Sequence, residues 1–289
     1  MFAVIGITGN VGGSTARALL KDGKMVRGIV RNKAKAAAWE VVGVELAVAE
    51  MTDASALEAG LHDVEGVFVM IPPNFAPADG FPETQAIVAA LRQALSVAQP
   101  AKAVYLSSVG AHRQSGLGLI TQLNILEEGM RTLPIANAFV RAAWFLENYQ
   151  WDVDSARARG EIDAFLVPVD RAIPMVATDD IGCLVAKTLQ QKWNGDRFLE
   201  LEGPARHSPL DAAAAFSRHL NRKVVAKPVP RGEWAALFER QGMSPDRMKP
   251  RIEMLDGFNS GWIDFEGNES EHVLGDRTLD DVLQELVRE

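Results

Sequence analysis

Short runs of apolar, often β-branched residues alternate with longer stretches of helical periodicity through the first 141 residues of the chain. The apolar runs predict strands near 2–7, 25–30, 44–48, 66–71, 103–107 and 135–140, with helices between them. This alternation is typical of a parallel sheet that is covered by helices on both faces. We therefore predict an α/β fold built on a Rossmann-type, doubly wound parallel sheet.

After Arg141 the regular alternation ends, and prolines divide the chain into shorter elements. These prolines are Pro168, Pro174, Pro204, Pro209, Pro228, Pro230, Pro245 and Pro250. One helix start is readable here, because Ser208 suits the N-cap and Pro209 suits the first turn of a helix ending near Leu220. We expect a first domain over residues 1–150 and a smaller C-terminal α+β lobe over 151–289 that is interleaved with it.

Composition narrows the classes of function. The 289 residues are 47% hydrophobic and carry a formal net charge of -8, and no basic stripe is present, so we predict no direct binding of nucleic acid. No apolar stretch approaches the roughly 18 residues of a membrane span. The single cysteine, Cys183, cannot form an intramolecular disulfide, and its apolar neighbours predict a core position on a helix. We expect a cytoplasmic protein that is a monomer or a homodimer.

A glycine-rich turn follows the first predicted strand. Gly6, Gly9 and Gly12 are spaced Gly-x-x-Gly-x-x-Gly, and Ser14 to Leu20 then forms a helical pattern. A strand, a glycine turn and a helix N-terminus together bind the pyrophosphate of a dinucleotide, although this spacing differs from the commoner Gly-x-Gly-x-x-Gly. The alternative is a glycine turn without a ligand.

The turn predicts a set of cofactor contacts. We expect that Gly9 and Gly12 cannot carry a side chain, because the backbone must approach the pyrophosphate closely, and that Gly12→Val abolishes nucleotide binding while leaving the fold largely intact. The expected contacts in this segment are Gly6, Thr8, Gly9, Asn10, Val11 and Gly12.

The end of the second strand predicts which dinucleotide binds. Enzymes that use NAD usually place an acidic residue there, whereas this chain has Arg31, with Lys35 close behind. A guanidinium suits a 2′-phosphate, so we predict NADP(H); the alternative is a solvated basic helix start. Glu50 and Met51 follow the third strand, where the adenine is expected, and Met51 either packs on the base or belongs to the core.

Several segments together resemble the NmrA-like group of atypical short-chain dehydrogenases. They are Gly6–Gly13, Val30–Ala36, Val67–Asn74, Leu106–Ala111, Arg141–Asn148, Gly203–Pro204 and Gly257–Gly261. The group includes NADPH-dependent quinone oxidoreductases and azoreductases, and also redox-sensing regulators that bind the dinucleotide without turnover.

The resemblance implies further contacts. Those near the cofactor are Ile71, Pro72, Ser107 and Ser108. Those lining the nicotinamide and substrate side are Trp144, Phe145 and Asn148. Gln122 stands where relatives often carry lysine, which makes it a cofactor contact that cannot supply a positive charge.

The chain departs from short-chain dehydrogenases in its proton-transfer residues. Their usual Tyr-x-x-x-Lys pair is missing, because Val109 and Val153 stand four residues after Tyr105 and Tyr149. We assign Tyr105 to the fifth strand and Tyr149 to a wall of the second lobe. Hydride transfer to a delocalised acceptor needs no phenolic acid, because water can deliver the proton.

His112, in the loop after the fifth strand, is a candidate proton donor, with an exposed loop histidine as the alternative. Phe75 is a candidate wall of the substrate pocket. The remaining histidines are too scattered to predict a metal site.

These observations predict an NADPH-dependent oxidoreductase that transfers hydride to a small quinone-like or azo acceptor. An NADP(H)-sensing regulatory protein without turnover is the first alternative. A different enzyme, such as an epimerase or ketone reductase, is the second.

Overall fold

The structure, a computed structural model, describes residues 1–288. Its strands are β1 Phe2–Ile5, β2 Val26–Val30, β3 Glu45–Val48, β4 Gly66–Val69, β5 Lys102–Ser108, β6 Ala136–Ala142, β7 Trp144–Phe145, β8 Glu161–Ala164, β9 Met175–Val176, β10 Asp196–Glu202, β11 Val225–Pro228 and β12 Glu271–Leu274. Its α-helices are α1 Asn10–Lys21, α2 Ala37–Val41, α3 Ala54–Leu61, α4 Pro82–Ala98, α5 Thr121–Met130, α6 Val153–Arg159, α7 Thr178–Leu189, α8 Pro209–Leu220, α9 Trp234–Arg240, α10 Lys249–Ser260 and α11 Leu279–Arg288.

Eight strands form a parallel sheet in the order β12-β10-β6-β5-β4-β1-β2-β3. The doubly wound α/β fold is confirmed, and all six predicted strands belong to this sheet. β1 lies between β2 and β4, with Val4 opposite Gly28 on one side and Phe68 on the other. The direction of winding therefore changes beside β1, and doubly wound sheets bind ligands in the crevice at such a point.

The sequence pattern missed β10 and β12, so the sheet is two strands wider than predicted. β10 carries Glu200 at a position that is fully buried. Its carboxylate accepts the backbone N–H groups of Glu266 at 2.9 Å and Gly267 at 3.2 Å, which makes burial of the charge tolerable. Because a charged residue interrupts the continuous apolar sequence that identifies a buried parallel strand, the pattern did not predict β10.

Both faces of the sheet are apolar because helices cover both. Val4 and Phe68 pack on the side of α1 and α7, whereas Ile5 and Val67 pack on the side of α3, α4 and α5. Asp53 forms the N-cap of α3, since its Oδ1 accepts the N–H of Ala56 at 3.0 Å.

The second half of the chain adds β10 and β12 to the main sheet and also forms elements outside it. Two short parallel pairs, β8 with β11 and β7 with β9, lie outside the main sheet. The predicted start of α8 is confirmed, because Ser208 forms a capping box with Asp211. A separate apolar cluster around Trp234 and Phe238 joins α9 to α10.

The predicted core position of Cys183 is wrong. The residue lies on α7 as expected, but it is exposed. Ile181, Val185 and Leu189 form the buried side of that helix, and helical geometry turns position 183 away from them. Within residues 1–288, no helix is both long and apolar enough to span a membrane.

Candidate functional site

The glycine turn is shaped by contacts within itself. Gly6 has a φ of 77°, a conformation that favours glycine, and its carbonyl accepts the N–H of Gly9 at 2.9 Å. A Cβ on Gly12 would overlap the carbonyl of Gly6, whereas a Cβ on Gly9 would meet only that oxygen, at 3.5 Å. The expectation that a side chain at position 12 leaves the fold intact is therefore wrong, because that glycine is needed for packing inside the turn.

Helix α1 begins at Asn10, inside the glycine segment, and its first backbone N–H groups are free of partners among the described residues. Among the described residues, no protein group accepts the backbone N–H groups of Asn10, Val11 or Gly12. The first turn of α1 has no acidic residue, and Thr8, Gly9 and Asn10 are exposed. The side chain of Val11 is buried in the core, so this residue can reach a ligand only through its backbone. These features suit an anion.

A cavity of about 260 Å³ lies at the carboxyl edge of the sheet. Its lining residues come from the ends of β2, β3 and β4, from α4 and from α5: Arg31, Glu50, Met51, Thr52, Ile71, Pro72, Pro73, Asn74, Glu83, Thr84, Ile87 and Gln122. Because β1 lies between β2 and β4, the glycine turn emerges between the walls that these strands supply. The structure thus brings Arg31, Glu50, Met51, Ile71, Pro72 and Gln122 together, as predicted for a cofactor site.

Arg31 is the exposed cation of this cavity. No carboxylate in residues 1–288 lies within 4.0 Å of its guanidinium, whereas the neighbouring Lys33 pairs with Glu40 at 2.9 Å. Asn32 Oδ1 accepts the backbone N–H of Ala34 at 2.9 Å and so turns the chain after β2. Lys35 follows on the short helix Ala34–Ala36 and does not line the cavity.

Met51 and Gln122 each have a second role besides lining the cavity. Met51 is buried in a core cluster and also lines the cavity, so its core position is confirmed, whereas its packing on an adenine base stays a prediction. The amide Nε2 of Gln122 donates to the backbone oxygen of Asn74 at 3.0 Å, and its Oε1 accepts from Thr84 at 3.1 Å. Gln122 therefore holds the segment after β4, and its contact with a cofactor stays a prediction.

Ser107 is engaged inside the protein. Its hydroxyl donates to Glu127, which also pairs with Arg141 at 2.8 Å in a buried ion pair. Ser107 is buried near the end of β5 and does not line the cavity. Its predicted cofactor contact would require the nicotinamide end of the ligand to extend beyond the cavity.

The residues predicted for the substrate side lie where two segments meet. Trp144 packs edge-on against Phe258, with ring centroids 5.1 Å apart, and is therefore also a core residue. Phe145 and Asn148 are half-buried. Phe75 is exposed and contacts Trp151, which lies on the short helix Leu146–Asp152.

His112 does not line the cavity. It is half-buried, and the charged groups around it are Glu266, Arg113, Arg141 of β6 and Glu200 of β10. Burial lowers the pKa of His112, so the imidazole is neutral at neutral pH. A neutral imidazole is a poor proton donor, and the role of His112 on the nicotinamide side stays a prediction.

Both tyrosines have structural surroundings. Tyr105 is fully buried, stacks on Phe139 and donates to Asn137 Oδ1 at 3.1 Å. Tyr149 is half-buried and packs edge-on against Phe216 of α8. Burial raises the pKa of both phenols. Neither group is poised to release a proton near neutral pH.

Sequence reasoning missed residues whose partners are distant in the chain. Glu147 lies in the segment with Trp144, and its Oε1 accepts both the N–H and the hydroxyl of Thr178, at 2.8 and 2.6 Å. It thus fixes this segment to the start of α7. Burial raises the pKa of Glu147, and its Oε2 has no partner in the described residues. No local signal predicts such a contact, whereas Pro82 could have marked the helix start that brings Glu83 and Thr84 to the cavity.

Comparison with known proteins shows to which family this chain belongs. The sequence model of the NmrA-like family matches residues 1–258. The chain belongs to the NmrA-like family. This NmrA-like chain is 26% identical over 226 residues to an NAD(P)H azoreductase of Xenophilus azovorans, covering 78% of the chain and 75% of that relative.

A second relative is quinone oxidoreductase 2 of Escherichia coli strain K12, which is 24% identical over 249 residues, with 85% of this chain and 83% of the relative covered. The fold also matches a solved structure, an NADPH-dependent quinone oxidoreductase from Escherichia coli complexed with NADPH. That match has a TM-score of 0.79 and 21% identity, and it covers 99% of both chains. The NmrA-like family predicted from the sequence motifs is therefore confirmed.

Proposed function

We propose that this protein is an NADPH-dependent oxidoreductase that transfers hydride to a quinone-like or azo acceptor, in the cytoplasm. The observation that carries the proposal is Arg31, whose guanidinium has no carboxylate partner among residues 1–288 and lines a cavity at the edge of the sheet where the glycine turn also lies. The named activities of the azoreductase and quinone oxidoreductase relatives support the same class of acceptor.

The residues of the crevice fit NADPH. The free N–H groups at the start of α1 suit the pyrophosphate, and the open space beside Gly9 lets it approach the backbone. Arg31 and Lys35 suit the 2′-phosphate, and Glu50, Met51, Ile71 and Pro72 would surround the adenosine half.

The chemistry requires little from the protein besides orientation. When bound, NADPH supplies the hydride, and a quinone that takes this hydride and one proton from water becomes a hydroquinone. Trp144, Phe145 and Asn148 would hold the acceptor against the nicotinamide side, with Phe75 at the rim. The hydride comes from NADPH and the proton from water, so no side chain has to donate a proton.

The enzyme proposed here works without a Tyr-x-x-x-Lys dyad. Tyr105 is buried and Tyr149 is half-buried against Phe216, and neither is followed by lysine four residues later. An acceptor whose reduced anion is delocalised does not need a strong acid in the site. This argument favours quinones and azo compounds over simple ketones.

The test is to follow the loss of NADPH absorbance with para-benzoquinone and with methyl red, beside a titration of NADPH binding. Oxidation that depends on an acceptor would support the reductase. Binding without oxidation by any acceptor would favour the NADP(H)-sensing regulator. Absence of NADPH binding would contradict both functions.

A further inference from the structure

Phe75 is an exposed aromatic residue in a segment that is held on both sides. Its side chain is 47% exposed. The carbonyl before it, Asn74 O, accepts from Gln122 Nε2 at 3.0 Å, and the carbonyl after it, Ala76 O, accepts from Arg247 Nη1 at 2.9 Å. The N–H of Ala76 also donates to Asn74 Oδ1 at 3.1 Å. The backbone that carries this exposed ring is therefore fixed by long-range contacts.

Trp151 completes an aromatic corner. It is 66% exposed, and its ring centroid lies 5.9 Å from that of Phe75 at an interplanar angle of 80°. The two rings come from different segments, the loop after β4 and the short helix Leu146–Asp152. Two large exposed rings set nearly at right angles offer one face and one edge to a third ring.

The corner adjoins the proposed site through both segments. Asn74, the residue before Phe75, lines the cavity. Trp151 lies on the helix that follows Trp144 and Phe145 and that includes Asn148. An acceptor held by those residues would extend its remote end toward Phe75 and Trp151.

We propose that Phe75 and Trp151 form an aromatic platform that binds the remote ring of a multi-ring planar acceptor and so determines specificity. This inference rests on the proposed reductase function and names its preferred substrates as planar compounds with two or more aromatic rings. Stacking against the platform stabilises the bound acceptor, and a single-ring acceptor is too short to reach it while its other end reacts.

Arg247 is a positioning residue for the platform. It lies between α9 and α10, donates to Ala76 O and pairs with Glu83 at 3.4 Å, at the start of α4. Because the loop is held before the ligand arrives, less conformational entropy is lost on binding. Arg247→Gln is expected to weaken binding at the platform while leaving both rings in place.

The test has a binding arm that needs no turnover. The protein saturated with NADP⁺ is dialysed against methyl red, a two-ring azo dye, and the dissociation constant is compared for wild type, Phe75→Ala and Trp151→Ala. We expect each alanine variant to raise the dissociation constant of methyl red about fivefold to tenfold. Trp151→Phe, which keeps an aromatic ring, should retain most of the wild-type affinity. Leu274→Ala, which removes an equally exposed apolar side chain on edge strand β12, is the control and should change nothing.

The kinetic arm compares a two-ring quinone, menadione, with single-ring para-benzoquinone. Loss of kcat/KM in the alanine variants should be at least about threefold greater for menadione and should reside in KM. Equal losses for both quinones, or unchanged dye affinity in both variants, would overturn the platform. Dye binding that depends on Phe75 and Trp151 without any NADPH oxidation would instead uphold the platform and refute the reductase. Reduction of para-benzoquinone by a protein that does not bind the dye would uphold the reductase and refute the platform.

Discussion

Gly12 packs so closely against Gly6 that a Cβ atom at position 12 would overlap the carbonyl group of Gly6. The carbonyl of Gly6 also accepts the N–H of Gly9, so all three glycines meet in one turn. Their roles nevertheless differ. Gly12 is needed by the protein, whereas the space beside Gly9 is open to a ligand.

Gly9→Ala is therefore the substitution that tests the phosphate site. Gly9 has a φ of -94° and a ψ of 172°, which alanine adopts without strain, and its Cβ would meet only one atom within 4 Å. We expect unfolding temperature to stay within about 2 °C and NADPH affinity to fall about tenfold or more, because the methyl group occupies the path of the pyrophosphate. Thermal-shift titration with NADPH measures both quantities.

The controls for this experiment are two other glycines. Gly12→Val should lower the free energy of unfolding by about 1–3 kcal/mol or more, since the overlap must be relieved by moving backbone. Gly232→Ala has no neighbour within 4 Å of its new Cβ and should alter neither stability nor binding. Full NADPH affinity in Gly9→Ala would show that the pyrophosphate does not pass beside this turn.

Arg31→Glu tests the choice of cofactor. The guanidinium of Arg31 has no ion-pair partner in the described residues, so its replacement breaks no salt bridge. Loss of a charge-assisted contact with the 2′-phosphate should weaken NADPH by about 1.5–3 kcal/mol, while NADH, which lacks this phosphate, should bind almost as before. Dissociation constants for both nucleotides measure the difference.

Lys192→Glu is the matched control, because it makes the same change of charge at the opposite, amino edge of the sheet. Its location follows from the neighbouring Gln191, whose backbone oxygen accepts from Lys102 Nζ at the start of β5. If Arg31→Glu and Lys192→Glu weakened NADPH equally, the effect would come from net charge alone. Equal affinity of the wild type for NADPH and NADH would contradict the role given to Arg31.

Local chemistry explains which parts of the site could be predicted from sequence. Gly6, Arg31 and Glu50 follow apolar runs directly, and the ends of neighbouring parallel strands must meet at one edge, so their proximity follows from topology. Asp53 and Ser208 mark helix starts through contacts three residues away.

Contacts between distant segments could not be predicted in this way. Arg247 is 171 residues from the carbonyl of Ala76 that it binds. Gln122 is 48 residues from Asn74. Trp151 contacts Phe75, although the two rings come from segments far apart in the chain. Neither hydrophobic period nor turn chemistry contains information about such pairs.

Asp152→Asn should make stability less dependent on pH. Burial, followed by repulsion from Asp163, raises the pKa of Asp152 from 3.8 to about 7. Between these values the folded state holds a proton that the unfolded state releases, so this group destabilises the protein as pH rises. We expect the asparagine variant to gain about 2–4 kcal/mol in the free energy of unfolding at about pH 8 and almost nothing at about pH 4.

Chemical denaturation at both pH values measures this difference. Asp163→Asn, which keeps the Asp152 carboxyl but removes the repulsion, should stabilise in the same direction and by less. A gain in Asp152→Asn that is the same at both pH values would show that packing, and not titration of Asp152, is responsible.

His112→Ala should change kcat by less than about threefold, since a group that donates a proton in the transition state contributes about 10²-fold or more. Burial lowers the pKa of His112, so its imidazole is neutral at neutral pH and is a poor proton donor. Initial rates with para-benzoquinone test this prediction. A loss of 10²-fold at unchanged NADPH affinity would make His112 the proton donor after all.

Tyr105→Phe and Tyr149→Phe test whether turnover proceeds without a phenolic acid. Tyr105 donates to Asn137 and stacks on Phe139 inside the core, so loss of its hydroxyl should cost about 1 kcal/mol of stability. Tyr149 packs against Phe216, and Tyr149→Phe keeps this contact between aromatic rings. Because water can protonate a delocalised product, each variant should keep kcat within about threefold, whereas loss of a true general acid costs about 10²–10⁴-fold.

Steady-state rates with para-benzoquinone, measured below the unfolding temperature of each variant, separate the effects on stability and chemistry. A collapse of kcat in a folded variant with normal NADPH affinity would identify the phenol as the proton donor and favour a carbonyl reductase.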